Sequence, residues 1–428
     1  MRITVDWAVP GKTGPVRHPK MVFVILLALA LGMTSNCSNR TPVNPPDLNS
    51  TSTSLEPLGD GLPDFYSTIP DPSNVPAGTL LASQSITYQA LPNSAWRIAY
   101  SSLSPDGHPI TVTGLVILPL GQPPTGGWPV VSWAHSTTGI ADQCAPSADP
   151  SRLLPAVGLL SNGFAFVATD YEGLGTTGRH PYLVSASEGR SVLDIALAAT
   201  RVTEWNISNR VAVWGHSQGG HAALAAMTMA ERFAPELNVF AIAAGAPASG
   251  FEESAIKGEA HSTRHLALLI ALGFNSTDPE RLPLNEILTD SGIGLTETAG
   301  KVCSQDLKTI IDSLPTETEL VKSPPSDRWL EELRSNDPLT ISSSSDVPLL
   351  LMHGANDEIV SVDNSRRIQD RLCALKQDSE LWIDPNADHI SIVSATYPTM
   401  IQWLRLQAEQ INAASIALGE SLIRIRCG

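Results

Sequence analysis

The chain has 428 residues, of which 42% are hydrophobic and 16% are charged, and its formal net charge is −16. This length accommodates two or three domains or one large α/β core with an insertion, and the hydrophobic share is ample for a buried core. The acidic excess, with no basic stripe along the sequence, argues against a nucleic-acid partner.

Residues 1–37 have the pattern of a secretory leader. Lys12, Arg17 and Lys20 precede an apolar run at 21–33, which is the order found in a signal peptide. The run is too short to span a bilayer comfortably. The sequence therefore predicts a secreted protein with no transmembrane helix in the mature chain.

Two alternatives to this leader stay open. Translation can begin at Met1 or at Met21, and Cys37 is a candidate for lipid anchoring. The residues at 34–36 fit lipoprotein processing poorly, which favours secretion. Residues 38–75 follow, rich in Pro, Ser, Thr and Asn, and this composition predicts a flexible linker.

Strand-like and helix-like segments succeed one another after residue 76. Three early strand patterns joined by turns are followed by alternating strand and helix patterns. This order predicts an α/β fold with a mostly parallel central sheet and helices on both faces. The strand-like segments lie at 79–89, 95–103, 109–120, 129–135, 163–171, 211–214, 238–248, 347–354 and 379–384, and the helix-like ones at 187–202, 221–233, 362–375 and 390–413.

One long segment, 250–345, interrupts the alternation with several helix-like pieces and no strand pattern. An irregular loop of that length is improbable inside a compact domain. The sequence therefore predicts an inserted helical cap, or lid, between two parts of the core, 76–249 and 346–428.

Within this cap, "LALLIALGF" at 266–274 has no polar side chain. A helix that is apolar on all sides must be covered on all sides. It is either the core of the cap, or one face of it meets the acyl chain of a substrate. In the second case we expect Leu268 or Leu269 to line the acyl site.

The motif "GHSQGG" at 215–220 joins an apolar strand pattern to a helix pattern. G-x-S-x-G between a strand and a helix is the nucleophile elbow of α/β-hydrolases, in which tiny flanking residues permit a sharp turn. Ser217 is therefore the candidate nucleophile. The alternative is a small residue that fills a structural turn.

A serine nucleophile needs a histidine base, which follows it in this fold. Five histidines follow the serine: His221, His261, His265, His353 and His389. His389 directly follows the strand-like segment 379–384 and opens the last helix, which is the expected place for the base. His353 ends a strand, where a structural histidine is expected.

The acid that orients the base is expected in the loop after an earlier strand. Asp357, in "MHGANDEIVSV", occupies that place. Glu358 would point elsewhere in the same turn. Asp384 and Asp388 are nearer to the base in sequence, but Asp388 is its immediate neighbour and cannot easily reach its ring.

The tetrahedral intermediate needs N–H donors for its oxyanion. The backbone N–H of Gln218, directly after the nucleophile, is the first candidate. The second is expected in the loop after segment 129–135, where Thr137 and Thr138 are equivalent candidates.

Four cysteines follow the leader: Cys144, Cys303, Cys373 and Cys427. An even number in an exported chain predicts two disulfides, with three possible connectivities, and buried free thiols are the alternative. No His/Cys spacing indicates a metal site, so none is predicted.

The motifs "HSTTGIADQCAPS", "ATDYEGLG", "GHSQGG", "HGANDEIV" and "ADH", in this order, resemble the secretory lipase family of the Candida antarctica lipase A type. The resemblance covers most of residues 75–428. It implies a lidded α/β-hydrolase acting on acylglycerols and other carboxylic esters without a cofactor, with Ser217, Asp357 and His389 as its triad.

The resemblance also implies a disulfide between Cys144 and Cys303, which leaves Cys373 with Cys427. Some relatives carry an acidic side chain where this chain has Thr138, so the second oxyanion donor is not fixed by the resemblance.

Taken together, these patterns predict an exported serine ester hydrolase, most simply a lipase working through an acyl-enzyme, with an ester or lipid as its partner at a lipid–water interface. Two alternatives remain open. One is a serine peptidase or amidase on the same fold, for which no amine-recognising acidic pair is evident. The other is a catalytically inactive binding protein, against which the ordered Ser, Asp and His argue.

Overall fold

A ten-stranded sheet forms the centre of the fold. The computed structural model describes residues 62–73, 75–88, 91–149, 155–258, 260–410, 416, 418 and 421–427, all within one unit that spans 48–428. The leader predicted at 1–37, with its alternatives at Met21 and Cys37, lies outside the described residues.

The strands are ordered β1-β2-β3-β5-β4-β6-β7-β8-β9-β10. Strands β1, β2, β3 and β10 run antiparallel to their neighbours in the sheet. The strands between them, β5-β4-β6-β7-β8-β9, run parallel to one another. Their bounds are β1 Leu80–Tyr88, β2 Leu91–Leu103, β3 Pro109–Ile117, β4 Trp128–Ala134, β5 Ala165–Thr169, β6 Ile207–His216, β7 Asn238–Gly245, β8 Leu349–Gly354, β9 Ser379–Asp384 and β10 Ile423–Arg426.

Helices cover both faces of this sheet. The bounds of the α-helices are α1 Ala156–Ser161, α2 Ser185–Thr200, α3 Gln218–Phe233, α4 Phe251–Lys257, α5 Arg264–Thr277, α6 Asp290–Gly294, α7 Thr296–Ala299, α8 Ser304–Asp312, α9 Asp327–Ser335, α10 Val362–Ala374 and α11 Ser391–Ala408. The predicted mostly parallel sheet with helices on both faces is confirmed.

Neighbouring residues of each central strand lie in two different hydrophobic clusters, one on each face of the sheet, because successive side chains of a strand point to opposite faces. Val130 of β4 belongs to the cluster that contains residues of α2, α3 and α10, whereas its neighbour Val131 belongs to the cluster that contains residues of α1 and α11. Both side chains are fully buried. Burial on both faces explains why the central strands are continuous apolar runs in the sequence.

Two ends of the fold differ from the sequence prediction. Residues 62–73 are not a flexible linker, because Phe65 and Tyr66 are buried and the Tyr66 hydroxyl bonds that of Ser147. At the other end, α11 ends at Ala408 rather than near 413, and β10 adds an edge strand that the sequence pattern does not indicate.

The residues between β7 and β8 form helices α4 to α9 around a hydrophobic cluster of their own. We refer to residues 250–345 as the insert. Among the described residues of the insert no strand occurs. Buried Leu268, Leu272 and Trp329 belong to its cluster, which also takes in Tyr182 from the loop before α2.

Two disulfides connect distant segments, and they are the pairs that the resemblance implies. Cys144–Cys303 joins the loop after β4 to the insert, across a sequence separation of 159. Cys373–Cys427 joins α10 to the residue after β10, across a separation of 54.

Replacing both Cys144 and Cys303 by serine should lower the free energy of unfolding by roughly 2–5 kcal/mol, because the unfolded chain regains the entropy of a long open loop. It should also lower ester turnover, since the bridge fixes the insert to the loop beside the elbow. The matched control replaces Cys373 and Cys427 by serine and should lose stability while keeping turnover. Urea unfolding and ester assays measure both effects. Equal turnover losses in the two variants would contradict the link to the active site.

Candidate active site

The candidate nucleophile lies at a sharp turn between β6 and α3. Ser217 has φ 59° and ψ −117°, a strained conformation for a residue with a Cβ. A Cβ on Gly219 would lie 1.9 Å from the carbonyl oxygen of Ala134, and one on Gly215 would lie 2.2 Å from that of Gly219. Only glycine fits at these two positions, so the turn holds the Ser217 hydroxyl at the C-terminal edge of the sheet.

His389 contacts both of the other predicted catalytic side chains. Its Nδ1 lies 2.6 Å from Oδ2 of Asp357 and its Nε2 lies 2.9 Å from Oγ of Ser217. Because a carboxylate accepts hydrogen bonds, Nδ1 carries the proton and Nε2 is left to accept the Ser217 O–H. This chain of three groups has the geometry for general-base activation of the hydroxyl.

The Asp357 carboxyl is held in its ionised form. Its Oδ1 accepts the backbone N–H groups of Ile359 and Val360, both at 2.8 Å. Burial works to raise the pKa of Asp357, but hydrogen bonds from His353 and His389 outweigh burial and hold that pKa well below its usual range. A negative charge therefore faces His389 at neutral pH and stabilises the imidazolium that forms when it takes a proton.

The other acid and base candidates make no hydrogen bond to the Ser217 hydroxyl or to the His389 ring. Asp384 and Asp388 accept backbone N–H groups of their own turn, and Glu358 is exposed. His221 bonds the buried carboxylate of Glu188. Of the other three histidines, His261 and His265 lie in the insert, and His353 contacts Asp357.

The three oxyanion candidates lie around the elbow but are not equivalent. Gln218 is the first residue of α3, so its backbone N–H is one of the unpaired donors at a positive helix terminus. The Thr137 hydroxyl lies 2.7 Å from the hydroxyl of Tyr182. The Thr138 hydroxyl oxygen is buried and has no hydrogen-bond partner among the described residues. Thr138 thus keeps its side-chain donor available.

His216, inside the elbow motif, joins the three loops of the site. Its Nε2 lies 2.7 Å from the carbonyl oxygen of His389, and its Nδ1 lies 3.1 Å from the hydroxyl of Ser136. Burial lowers the pKa of His216 to about 3, so the ring is neutral and donates from Nε2. His216 is not among the site residues predicted from the sequence, although its place beside the nucleophile was a usable signal.

Glu188 of α2 bonds two residues in the first turn of α3, next to the elbow. It is fully buried and accepts from Nε2 of Gln218 at 2.8 Å and from Nδ1 of His221 at 2.7 Å. Burial works to lower the pKa of His221, but the bond to Glu188 outweighs it and raises that pKa. Nε2 of His221 bonds the carbonyl oxygen of Asn336 in the insert. Glu188 lies among small and polar residues at the start of α2, so the sequence offered no distinct signal for it.

A cavity of about 270 Å³ opens beside Ser217, between the core and the insert. Leu266, Ala267 and Ile270 of α5 line it. Leu268 and Leu269 do not, since both are fully buried inside the insert. The expectation that Leu268 or Leu269 faces the substrate is therefore wrong, because the helix turns its opposite side to the cavity.

Among the described residues, no cluster of three or more His, Cys, Asp or Glu side chains could hold a metal ion. Within the same part of the chain, no helix is long and apolar enough to cross a membrane.

The sheet, the elbow and the bonded Ser, His and Asp at its C-terminal edge define an α/β-hydrolase. The chain belongs to the secretory lipase family, whose model matches residues 151–413. Family membership makes the protein a carboxylic ester hydrolase of the lipase type and supports secretion.

Individual relatives are distant. A secreted triacylglycerol lipase of Malassezia globosa is 28% identical over 361 residues, which are 77% of this chain and 76% of the relative. A probable inactive lipase of Mycobacterium tuberculosis is 22% identical, over 76% of this chain and 77% of its own. Among solved structures, Candida antarctica lipase A superposes with a TM-score of 0.70 at 18% identity, covering 82% of this chain and 88% of that one. Because one relative is named inactive, turnover by a member of this family depends on the residues of its own site.

Proposed function

We propose that the protein is a serine lipase that hydrolyses acylglycerols or similar esters through an acyl-enzyme intermediate. The observation that carries the proposal is the hydrogen-bonded chain from Ser217 through His389 to Asp357, which begins at the wall of an apolar cavity. The name of the Malassezia relative, a triacylglycerol lipase, supports the choice of acylglycerols.

In the first half of the reaction, Oγ of Ser217 attacks the ester carbonyl carbon while its proton moves to Nε2 of His389. The oxyanion accepts the backbone N–H of Gln218 and a donor from Thr138, whose unpaired hydroxyl makes it a better candidate than Thr137. The tetrahedral intermediate collapses by breaking the C–O bond to the alcohol. His389 gives its proton to the departing alkoxide oxygen, which leaves an acyl ester on Ser217.

In the second half, a water molecule replaces the alcohol. His389 takes one of its protons as its oxygen attacks the acyl carbon, and the same oxyanion donors act again. Collapse of this intermediate breaks the bond to Oγ, which recovers its proton from Nε2. The free fatty acid leaves and the enzyme returns to its starting state.

The insert supplies the acyl-binding wall in this proposal. The residues of α5 that line the cavity are apolar, and each buried CH₂ of a substrate is worth about 0.8 kcal/mol. Two exposed isoleucines flank the catalytic loops, Ile359 at 41% and Ile390 at 69% exposure. An apolar rim beside an apolar cavity supports action at a lipid–water interface.

Replacing Ile270 by tryptophan should lower turnover of long-chain esters at least about tenfold, since filling the cavity displaces two or more CH₂ groups, and leave short-chain esters nearly unchanged. The matched control is Ile310→Trp, because Ile310 is 36% exposed on α8 and does not line the cavity. A series of chromogenic esters of rising acyl length, with matched anilides, measures this. The wild type should hydrolyse the esters far faster than the anilides. Equal losses on short and long esters would remove the acyl-wall role, and faster anilide turnover would favour a peptidase.

A further inference from the structure

The candidate acid has a second histidine as a neighbour. His353, at the end of β8, is fully buried, and its Nε2 lies 3.1 Å from Oδ2 of Asp357 and 3.0 Å from the carbonyl oxygen of Val360. On its other side, Nδ1 lies 2.6 Å from the hydroxyl of Ser365 in α10. His353 thus lies between the helix after the acid loop and the acid itself.

These contacts fix the proton positions of the ring. A carbonyl oxygen accepts hydrogen bonds, so Nε2 must carry a proton that is shared between Val360 and Asp357. The Ser365 hydroxyl has no other hydrogen-bond partner among the described residues. It therefore donates to Nδ1, which has a free lone pair in this tautomer.

Four N–H groups thus face the Asp357 carboxylate, in two pairs. Oδ1 takes the two backbone N–H groups of Ile359 and Val360. Oδ2 is shared by Nε2 of His353 and Nδ1 of His389. With His389 alone on Oδ2, the carboxylate could tilt about its bond to Cβ. The second donor holds Oδ2 at the point where His389 needs it.

We propose that His353 is a positioning residue that holds the Asp357 carboxylate in line with His389, with Ser365 anchoring the ring through Nδ1. The inference rests on the proposed function, since it gives Asp357 the role of catalytic acid. His353 does not touch the reacting atoms and acts only through Asp357.

The comparison of His353→Phe with His353→Gln tests this role. Phenylalanine fills a similar volume without an N–H, whereas the amide of glutamine can place a donor near the position of Nε2. We expect His353→Phe to lower kcat by roughly 10–100-fold, the effect of a displaced catalytic group, with KM nearly unchanged. Glutamine should recover most of this loss.

A pH profile of kcat/KM separates positioning from packing. Without the His353 donor, Oδ2 keeps more negative charge toward His389, so the protonated base persists to higher pH. The acidic limb should move up by roughly 0.5–1 pH unit in the phenylalanine variant and return in the glutamine variant. The other titratable groups that act on Asp357 include His216, which burial keeps neutral, and Asp388, an exposed carboxylate.

Equal losses in both variants with an unmoved acidic limb would reduce His353 to a packing residue, and wild-type behaviour of His353→Phe would overturn the proposal. Should His353→Phe fail to fold, Ser365→Ala decides, because it removes the anchor at Nδ1 while keeping the ring. An upward shift of the acidic limb supports the proposal, and an unchanged limb with wild-type kcat overturns it.

Labelling with a fluorophosphonate probe distinguishes failure of the proposed function from failure of the positioning role of His353. No labelling of wild-type Ser217 would refute the proposed function, whereas wild-type labelling rates in His353→Phe would refute only this inference.

Discussion

Replacing Ser217 by alanine should abolish ester hydrolysis and leave the fold intact. Among the described residues, the hydroxyl makes one hydrogen bond, to Nε2 of His389. The backbone strain at this position is the same for alanine as for serine, because both carry a Cβ. Within the part of the chain that the structure describes, the Ser217 hydroxyl is the one bonded to Nε2 of His389, so no other hydroxyl has this base beside it. Loss of the nucleophile lowers kcat on the order of 10⁶-fold in a comparable serine hydrolase.

The measurement is kcat on a soluble short-chain ester, together with thermal unfolding of wild type and variant. A variant that unfolds at the wild-type temperature and shows no turnover supports the assignment. A folded variant that keeps a tenth of wild-type turnover would mean that Ser217 is a structural turn residue, and the chain would then have to use another nucleophile.

Replacing Asp357 by asparagine should lower turnover roughly 10⁴-fold, as in other triads. The structure gives the reason. Because the N–H groups of Ile359 and Val360 point at Oδ1, the amide oxygen of asparagine takes that place. Its NH₂ group then faces Nδ1 of His389, which must accept rather than donate. The proton moves to Nε2, and the ring can no longer take the Ser217 proton.

Two aspartates offer matched controls for this variant. Asp388→Asn alters an exposed carboxylate beside His389 and should change turnover little. Asp384→Asn alters a buried carboxylate at the end of β9 that accepts a backbone N–H of its own turn. A severe loss of kcat in Asp384→Asn combined with a mild one in Asp357→Asn would transfer the role of acid to Asp384.

Local patterns in the sequence were sufficient to predict the elbow and the order of the candidate triad. Val211 to Trp214 is an apolar run because β6 is buried on both faces, and the glycines beside Ser217 are needed where the turn meets Ala134. Asp357 and His389 follow buried strands directly. A strand, a tight turn and a short loop each depend on residues that are close in sequence. The catalytic groups that they carry can therefore be predicted from the sequence.

The tertiary structure was needed wherever the question concerned a partner distant in sequence. Leu266 and Leu268 are two residues apart on one apolar helix, and only the packing of the insert shows that Leu266 lines the cavity while Leu268 is buried. Thr137 and Thr138 have the same side chain and cannot be told apart in the sequence. In the structure, the hydroxyl of Tyr182, 45 residues after Thr137, bonds the hydroxyl of Thr137 and not that of Thr138.

The tertiary structure was also needed to recognise the residues that hold the catalytic side chains in place and the last strand of the fold. His353 looks like an ordinary strand-end histidine until Asp357 and Ser365 are seen on its two nitrogens. Strand β10 has four residues and no apolar run of its own, and it is held by pairing with β9 and by the bridge from Cys373 to Cys427. Most of the elements and the chemical groups they carry could be predicted from the sequence, because they depend on neighbours along the chain. Which of these groups meet is visible only in three dimensions, because burial and hydrogen-bond partners depend on neighbours in space.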